Sequence, residues 1–139
     1  VVDGDTIVLN GEKIRFGGID SPETKYRGKK QPCYLNEVEV FCGELSKEKL
    51  KEKIGSNPVS CEREKNKDRN GRTVAECFVN GESLSKFMVR TGYAFDFVRY
   101  SKKKYAQDEE YAKVNKLGLW TMKFEYPWKW REKIREESK

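Results

Sequence analysis

The sequence predicts an α+β domain in which a five-stranded β-barrel of the OB type carries about three packed helices. Strand-like segments come first, followed by a helical segment, two further strand segments and more helices, which is compatible with a small, partly open barrel. The chain has 139 residues, 36% hydrophobic and 37% charged, enough for one modest core. No apolar run approaches the length needed to cross a bilayer, so we expect no membrane partner.

The first nineteen residues are predicted to form strands. Segments 5–9 and 13–16 flank Asn10-Gly11, the dipeptide that most strongly favours a two-residue hairpin turn. Opposed residues then have numbers that sum to 21, which places Arg15 near Thr6. Residues 25–32 contain glycine, proline and four basic side chains, and we expect them to form a mobile surface loop.

The middle and end of the chain alternate between helical and extended patterns. Apolar residues recur at helical spacing over residues 34–54, and Gly55 is a plausible stop. Two further helices are predicted over residues 84–91 and 103–117. We also predict an extended segment at 93–100, a tryptophan-rich strap at 120–130 and a charged tail after it.

We divide the chain at residue 122. Residues 1–122 are predicted to form the domain proper. Residues 123–139 are predicted to be an aromatic strap and a charged helical tail of the same domain.

Cysteine spacing favours disulfides over a metal site. The four cysteines are Cys33, Cys42, Cys61 and Cys77, and there is no histidine. A zinc site would therefore need all four thiolates at irregular spacing. If residues 59–65 and 72–79 pair as a hairpin, opposed numbers sum to 138, and Cys61 faces Cys77 within disulfide reach. The other two cysteines would then pair by default.

Structural disulfides indicate an oxidising compartment. We therefore expect a secreted or periplasmic protein. Its signal peptide would lie outside the given sequence, which starts at Val1.

The charge distribution is uneven along the chain, although the net charge is only +6. Residues 1–24 carry five acids and two bases, whereas residues 25–30 carry four bases. A further basic group follows at Arg99, Lys102, Lys103 and Lys104. Basic clusters indicate a polyanionic partner, commonly nucleic acid, or else an ordinary solvated face. The absence of histidine excludes histidine-based triads and general bases.

Four acids arrive at two chain reversals near the N-terminus: Asp3, Asp5, Asp20 and Glu23. Clustered carboxylates repel one another unless a cation or a guanidinium lies among them. Hard carboxylate oxygens suit Ca²⁺ or Mg²⁺. Arg15 and Arg72 would then bind a phosphate beside the metal. The alternative is that these acids merely stabilise turns.

Five short motifs appear in a fixed order: VDGDT at residues 2–6, IRF at 14–16, IDSPET at 19–24, DRNGR at 68–72 and KLGLW at 116–120. In combination they resemble the thermonuclease, or staphylococcal nuclease-like, family, and they span about residues 2–120. The resemblance implies an OB barrel with packed helices. It also implies a Ca²⁺-dependent phosphodiesterase that acts on DNA and RNA and leaves a 3′-phosphate.

The resemblance assigns roles by position. It implies one Ca²⁺ per domain, rather than Mg²⁺, held by the carboxylates of Asp5 and Asp20 and the backbone carbonyl of Ser21. Glu23 would hold or deprotonate the attacking water. Arg15 and Arg72 would bind the scissile phosphate and stabilise the charge that develops on it.

The substrate-contact positions differ from the staphylococcal type. Arg69 and Asn70 stand where that type has Lys and Tyr, and a tyrosine pair keeps Tyr100 but has Val98 at its companion position. The predicted substrate contacts are Arg69, Tyr100, Lys102 and Lys103.

Two functions of different classes follow from the sequence. The first is an exported, monomeric, metal-dependent nuclease. The alternative is a catalytically silent OB-fold module that binds nucleic acid through its basic and aromatic surface.

Overall fold

The computed structural model describes residues 1–137. Its nine strands within that range are β1 (Thr6–Leu9), β2 (Glu12–Phe16), β3 (Ile19–Asp20), β4 (Pro32–Leu35), β5 (Val38–Phe41), β6 (Ser60–Arg63), β7 (Thr73–Val79), β8 (Glu82–Ser83) and β9 (Phe95–Asp96). The α-helices are α1 (Cys42–Ile54), α2 (Leu84–Arg90), α3 (Val98–Ser101), α4 (Ala106–Val114) and α5 (Pro127–Glu137), with a 3-10 turn at Gly118–Thr121.

The main sheet has five strands in the order β1-β2-β7-β6, with β8 also paired to β7. Strands β1 and β2 form the expected hairpin, with Thr6 opposite Arg15. Asn10 and Gly11 have φ values of 51° and 79°, the left-handed conformation that a tight hairpin turn requires of both residues. Strand β2 pairs in parallel with β7. A five-stranded sheet with several helices confirms the α+β class and is consistent with an OB fold.

The cysteine pairing follows the predicted register. Strands β6 and β7 are antiparallel with Cys61 opposite Cys77, and these two residues form a disulfide. Cys33 and Cys42 form the second disulfide. No cysteine among the described residues is free, so the zinc alternative is excluded.

The prediction of one helix over residues 34–54 is wrong in its first part. Residues Pro32–Phe41 form the antiparallel hairpin β4–β5, and α1 begins only at Cys42. The turn between the strands has positive φ at both Asn36 and Glu37, which a helix cannot contain. The exposed Val38 and Phe41 lie on this hairpin, so their apolar character does not mark a buried helix face.

The C-terminal part agrees with the sequence pattern in outline. The helix predicted over 84–91 is present as α2, and α4 occupies the middle of the one predicted over 103–117. The segment 93–100 is extended only at β9 and then turns into α3. The tail is helical as predicted, but α5 begins at Pro127, inside the segment 120–130 predicted as a strap. Pro127 occupies the first helical position, where a proline is tolerated. Residues 138 and 139 of that tail lie outside the described residues.

Two apolar clusters fill the interior. The first joins sheet residues such as Ile14 and Phe16 to Leu50 of α1 and Met88 of α2. The second is aromatic and gathers Phe95 with residues of the strap and the Cys33–Cys42 disulfide. Within residues 1–137, none of the helices combines the length and the apolar character that a bilayer crossing requires.

Replacing Cys61 and Cys77 together by alanine should lower the free energy of unfolding by about 3 kcal/mol. The disulfide closes a loop with a sequence separation of 16, and its loss restores chain entropy to the unfolded state. Urea unfolding of the oxidised wild type and the double variant measures this difference. Under reducing conditions the two proteins should differ by less than about 1 kcal/mol; an equal gap in both conditions would contradict the cross-link explanation.

Candidate active site

The acidic corner of the molecule lies where β1 begins and β3 ends. Asp5 precedes β1, and its Oδ2 accepts the backbone N–H of Ser21 at 2.9 Å, while its Oδ1 accepts the Thr6 hydroxyl at 2.8 Å. Asp20 is the last residue of β3 and is 1% exposed. The hairpin register and the short β3 strand therefore bring two carboxylates from separate turns to one buried place.

Arg15 of β2 links the two carboxylates. Its guanidinium lies 3.3 Å from Asp5 Oδ2 and 3.5 Å from Asp20 Oδ1. It also donates to the backbone carbonyl of Phe16 at 3.0 Å. The side chain of Arg15 is 13% exposed, so one edge of this buried network faces solvent.

A second guanidinium, that of Arg131 in α5, enters the same corner. Its two terminal nitrogens donate to the two oxygens of Asp20 at 3.1 and 2.6 Å, a bidentate contact. The first of these nitrogens also donates to Glu23 Oε1 at 2.9 Å. The structure therefore groups Asp5, Asp20 and Glu23 around two arginines.

The loop that carries Glu23 is held by buried contacts. The backbone N–H of Glu23 donates to the side-chain oxygen of Gln31 at 3.0 Å, and the Gln31 amide donates to the carbonyl of Glu125 at 2.9 Å. Gln31 has no exposed surface. Gly43 of α1 lies against this loop, and a Cβ there would overlap the Glu23 carbonyl oxygen. The glycine permits the close approach of the loop to α1.

Burial and charge shift the titration of this corner. Burial is the main cause that raises the pKa of Glu23 to about 7, and the negative charges of Asp5, Asp3 and Asp20 add to it, whereas Arg131 acts in the opposite direction. Burial alone would lower the pKa of Arg131, but Asp20 and Glu23 outweigh it and raise that pKa. Glu23 therefore keeps its proton to a higher pH than a free carboxyl does, while Arg131 stays charged.

Arg72 lies outside these contacts. It precedes β7, and its Nε donates to Asp68 Oδ2 at 2.7 Å within the turn between β6 and β7. Within residues 1–137 no hydrogen bond or ion pair joins Arg72 to the acidic corner. The parallel pairing sets Arg15 beside Val74, two residues after Arg72. Arg72 therefore comes one residue before the strand that pairs with the strand of Arg15.

The expected substrate contacts are exposed. Arg69 lies in the turn that carries Arg72, and Lys102 and Lys103 follow α3 with positive φ values of 54° and 69°. Tyr100 is 55% exposed. Its ring contacts that of Phe97 edge-to-face, at 4.9 Å between centroids.

The sequence matches the family described as "Staphylococcal nuclease homologue" over residues 13–122. The chain belongs to this family. The resemblance seen in the motifs is thereby confirmed, and the acidic corner lies partly within the matched region and partly in the residues just before it.

Of three curated relatives of this chain, two are named nucleases. It is 33% identical over 131 residues to endonuclease YncB of Bacillus subtilis (strain 168), covering 86% of this chain and 58% of the relative. It is 32% identical over 127 residues to staphylococcal-like nuclease CAN1 of Arabidopsis thaliana, covering 88% and 34%. It is also 34% identical over 124 residues to succinoglycan biosynthesis protein ExoI of Rhizobium meliloti (strain 1021), covering 86% and 61%. The chain thus spans 34% to 61% of the length of these three relatives.

The staphylococcal nuclease family is generally metal-dependent. The oxygen atoms in this corner are of the type that a hard cation prefers as ligands. Asp5 and Asp20 offer carboxylate oxygens, and Ser21 follows Asp20 directly. The buried Ser21 hydroxyl has no hydrogen-bond partner within residues 1–137. The same described range contains no group of three or more acidic, histidine or cysteine side chains arranged to hold a metal. Both oxygens of Asp20 accept hydrogen bonds from Arg131, so the positive charge of that guanidinium already lies at the place a cation would take.

Arg131 and Gln31 are the site residues that the motifs do not reveal. Arg131 lies after residue 122, in the segment expected to be a strap and a tail. A signal was nevertheless available in the spacing of the buried residues Pro127, Trp130 and Ile134, which defines the inner face of α5 and includes position 131. The excess of acids in residues 1–24 also calls for a positive partner from elsewhere in the chain.

Relative to the wild type, the Glu23→Gln variant should have a higher free energy of unfolding at pH 8 than it has at pH 5. The pKa of Glu23 rises from 4.5 to about 7 on folding, so the folded state holds a proton that the unfolded state releases between these values. The wild type therefore loses up to about 3 kcal/mol across this window, a loss that the variant avoids. Urea unfolding of both proteins at pH 5 and pH 8 measures the change.

Glu39→Gln, an exposed position on β5, is the control for removal of one carboxylate. It should show no such pH-dependent gain. If the Glu23→Gln variant followed the wild type at both pH values, the raised pKa would be refuted.

Proposed function

We propose that this chain is a Ca²⁺-dependent endonuclease that hydrolyses DNA and RNA and leaves 3′-phosphate ends. The observation that carries the proposal is the convergence of Asp5, Asp20, Glu23 and Arg15 at one buried corner with an open edge. Membership of the staphylococcal nuclease family and the similarity to two relatives, an endonuclease and a nuclease, support the reaction class.

The cation would be held by the carboxylates of Asp5 and Asp20 and by the backbone carbonyl of Ser21. When bound, it would supply positive charge next to the phosphodiester. The hydrogen bond from the Ser21 N–H to Asp5 Oδ2 orients this carboxylate before any ligand arrives. The network thus fixes one of the oxygen donors in advance.

Glu23 is the general base in this proposal. A base works best when its pKa lies close to the working pH, and burial brings the pKa of Glu23 to about 7. Glu23 accepts the proton of a water molecule whose oxygen attacks the phosphorus atom. The bond between phosphorus and the 5′ oxygen then breaks, the 5′ oxygen takes up a proton from solvent to become a hydroxyl, and the phosphate remains on the 3′ side.

Arg15 and Arg72 bind the phosphate oxygens. Arg15 lies against Asp5 and Asp20 and keeps 13% of its side chain exposed towards the edge of the site. Arg72 is held by Asp68, so its guanidinium has to exchange that contact for the substrate. Two guanidinium groups would offset the charge that builds up on the non-bridging oxygens.

The surface around the site supplies the remaining contacts. Arg69, Lys102 and Lys103 would bind backbone phosphates, and Tyr100 would stack on a nucleotide. The two disulfides are compatible with an oxidising compartment, and we propose an exported protein that acts as a monomer.

The proposal is tested with supercoiled plasmid DNA and a labelled RNA oligonucleotide, with Ca²⁺, with Mg²⁺ and with EDTA. Cleavage should require Ca²⁺, and DNA ends should be extended by a polymerase only after phosphatase treatment. Binding without cleavage in any divalent metal would instead support the catalytically silent binding module. Ends that a polymerase extends directly would contradict the 3′-phosphate assignment.

Glu23→Gln should lower the cleavage rate by about 10²- to 10⁴-fold, because the variant cannot take up the proton of the attacking water. Initial rates under saturating Ca²⁺ measure the effect, and circular dichroism checks the fold. Glu39→Gln should retain the wild-type rate. Near-full activity of the Glu23→Gln variant would remove Glu23 as the base.

Arg72→Gln and Arg69→Gln separate chemistry from affinity within one turn. Loss of Arg72 should lower the turnover rate by about 10²-fold or more, because it removes charge at the transition state. Loss of Arg69 should mainly weaken binding and reduce the salt dependence of affinity. Single-turnover rates and binding at several salt concentrations measure both, and equal effects of the two variants on turnover would contradict the assignment.

A further inference from the structure

Arg131 binds the same atoms that the proposed cation needs. Both oxygens of Asp20 accept hydrogen bonds from Arg131, at 3.1 and 2.6 Å, and Glu23 accepts a third at 2.9 Å. The side chain of Arg131 is only 17% exposed, and Asp20 is buried. This is a buried bidentate ion pair, and removing one partner from such a pair is costly unless another charge replaces it.

We propose that Arg131 is an internal counter-ion that a divalent cation displaces from Asp20, so that cation binding and the docking of α5 compete. The inference rests on the proposed function for the identity of the cation site. A guanidinium and a divalent cation are both positive, and their repulsion in this buried corner makes them compete for Asp20. Before the cation arrives, Arg131 compensates the acidic corner.

The packing of α5 against the domain couples the displacement of Arg131 to the position of the whole helix. Trp130 and Ile134 are buried beneath it, and Trp128 stacks between Phe97 and Tyr126 with centroid distances of 5.0 and 4.8 Å. Through Phe97 this aromatic stack reaches Tyr100 at the proposed nucleotide contact. A displacement of Arg131 would therefore be transmitted through this stack to the residues that support the proposed nucleotide contact.

A second connection runs through Gln31. Its buried amide joins the backbone of Glu23 to the carbonyl of Glu125, two residues before α5 begins. The loop that carries Glu23 and the entry to α5 are thus held by one side chain. Release of Arg131 from Glu23 and Asp20 leaves the Gln31 link and two exposed contacts, Lys29–Glu137 and Arg135–Tyr26, between this segment and α5. Because the buried ion pair is lost and exposed contacts contribute little, α5 is expected to loosen when Ca²⁺ binds.

The experiment measures Ca²⁺ affinity by calorimetry in the absence of nucleic acid. The variants are Arg131→Gln and, as the matched control, Arg135→Gln, which removes the same charge from an exposed position on the same helix. The Arg135 guanidinium donates to the Tyr26 hydroxyl at 3.3 Å and not to Asp20 or Glu23. Arg131→Gln should bind Ca²⁺ about tenfold more tightly than Arg135→Gln, or more, in the range typical of coupled sites. Equal or weaker binding by Arg131→Gln overturns the proposal, because a general charge effect is shared by both variants.

Hydrogen exchange of the wild type gives an independent readout, which also decides the question if Arg131→Gln does not fold. Amides of α5 should exchange faster with Ca²⁺ than without it, and unchanged or slower exchange would overturn the proposal. Absence of Ca²⁺ binding in every form of the protein would overturn it as well. A protein that binds Ca²⁺ with the expected affinity pattern but does not cut nucleic acid would refute the proposed function alone.

Discussion

The neutralisation of Asp20 is the interaction on which this molecule depends. A carboxylate at 1% exposure costs several kcal/mol to bury unless positive charge and hydrogen bonds surround it. Arg15 reaches it from β2 and Arg131 from α5, so the two guanidiniums connect the start of the chain to its last helix. The acidic corner is therefore a structural junction as well as the candidate reaction centre.

The sheet explains why the acids meet where they do. The β1–β2 turn sets Arg15 opposite Thr6, next to Asp5, and β3 pairs with β9 so that Asp20 ends a short strand beside them. The Glu23 loop then rests on α1 at Gly43. Each of these placements comes from a backbone constraint, which keeps the geometry independent of flexible surface side chains.

Much of this arrangement could be predicted from the sequence, for physical reasons that differ between elements. Hairpin turns fix register by arithmetic, so the pairs Thr6–Arg15 and Cys61–Cys77 followed directly from the positions of the turns. The hairpin over Pro32–Phe41 was missed because its strands are exposed and lack a clean alternation of polar and apolar residues. The spacing of buried residues in α5 indicates that position 131 faces inwards, but it does not name the partners of Arg131, which lie 108 and 111 positions away.

The distance along the chain between Asp20 and Arg131 has a consequence for biosynthesis. A ribosome makes residues 1–24, with their surplus of negative charge, long before it reaches α5. Until α5 emerges, Asp20 has only Arg15 as a nearby positive partner among the contacts described. The acidic corner can therefore be completed only after α5 has been synthesised.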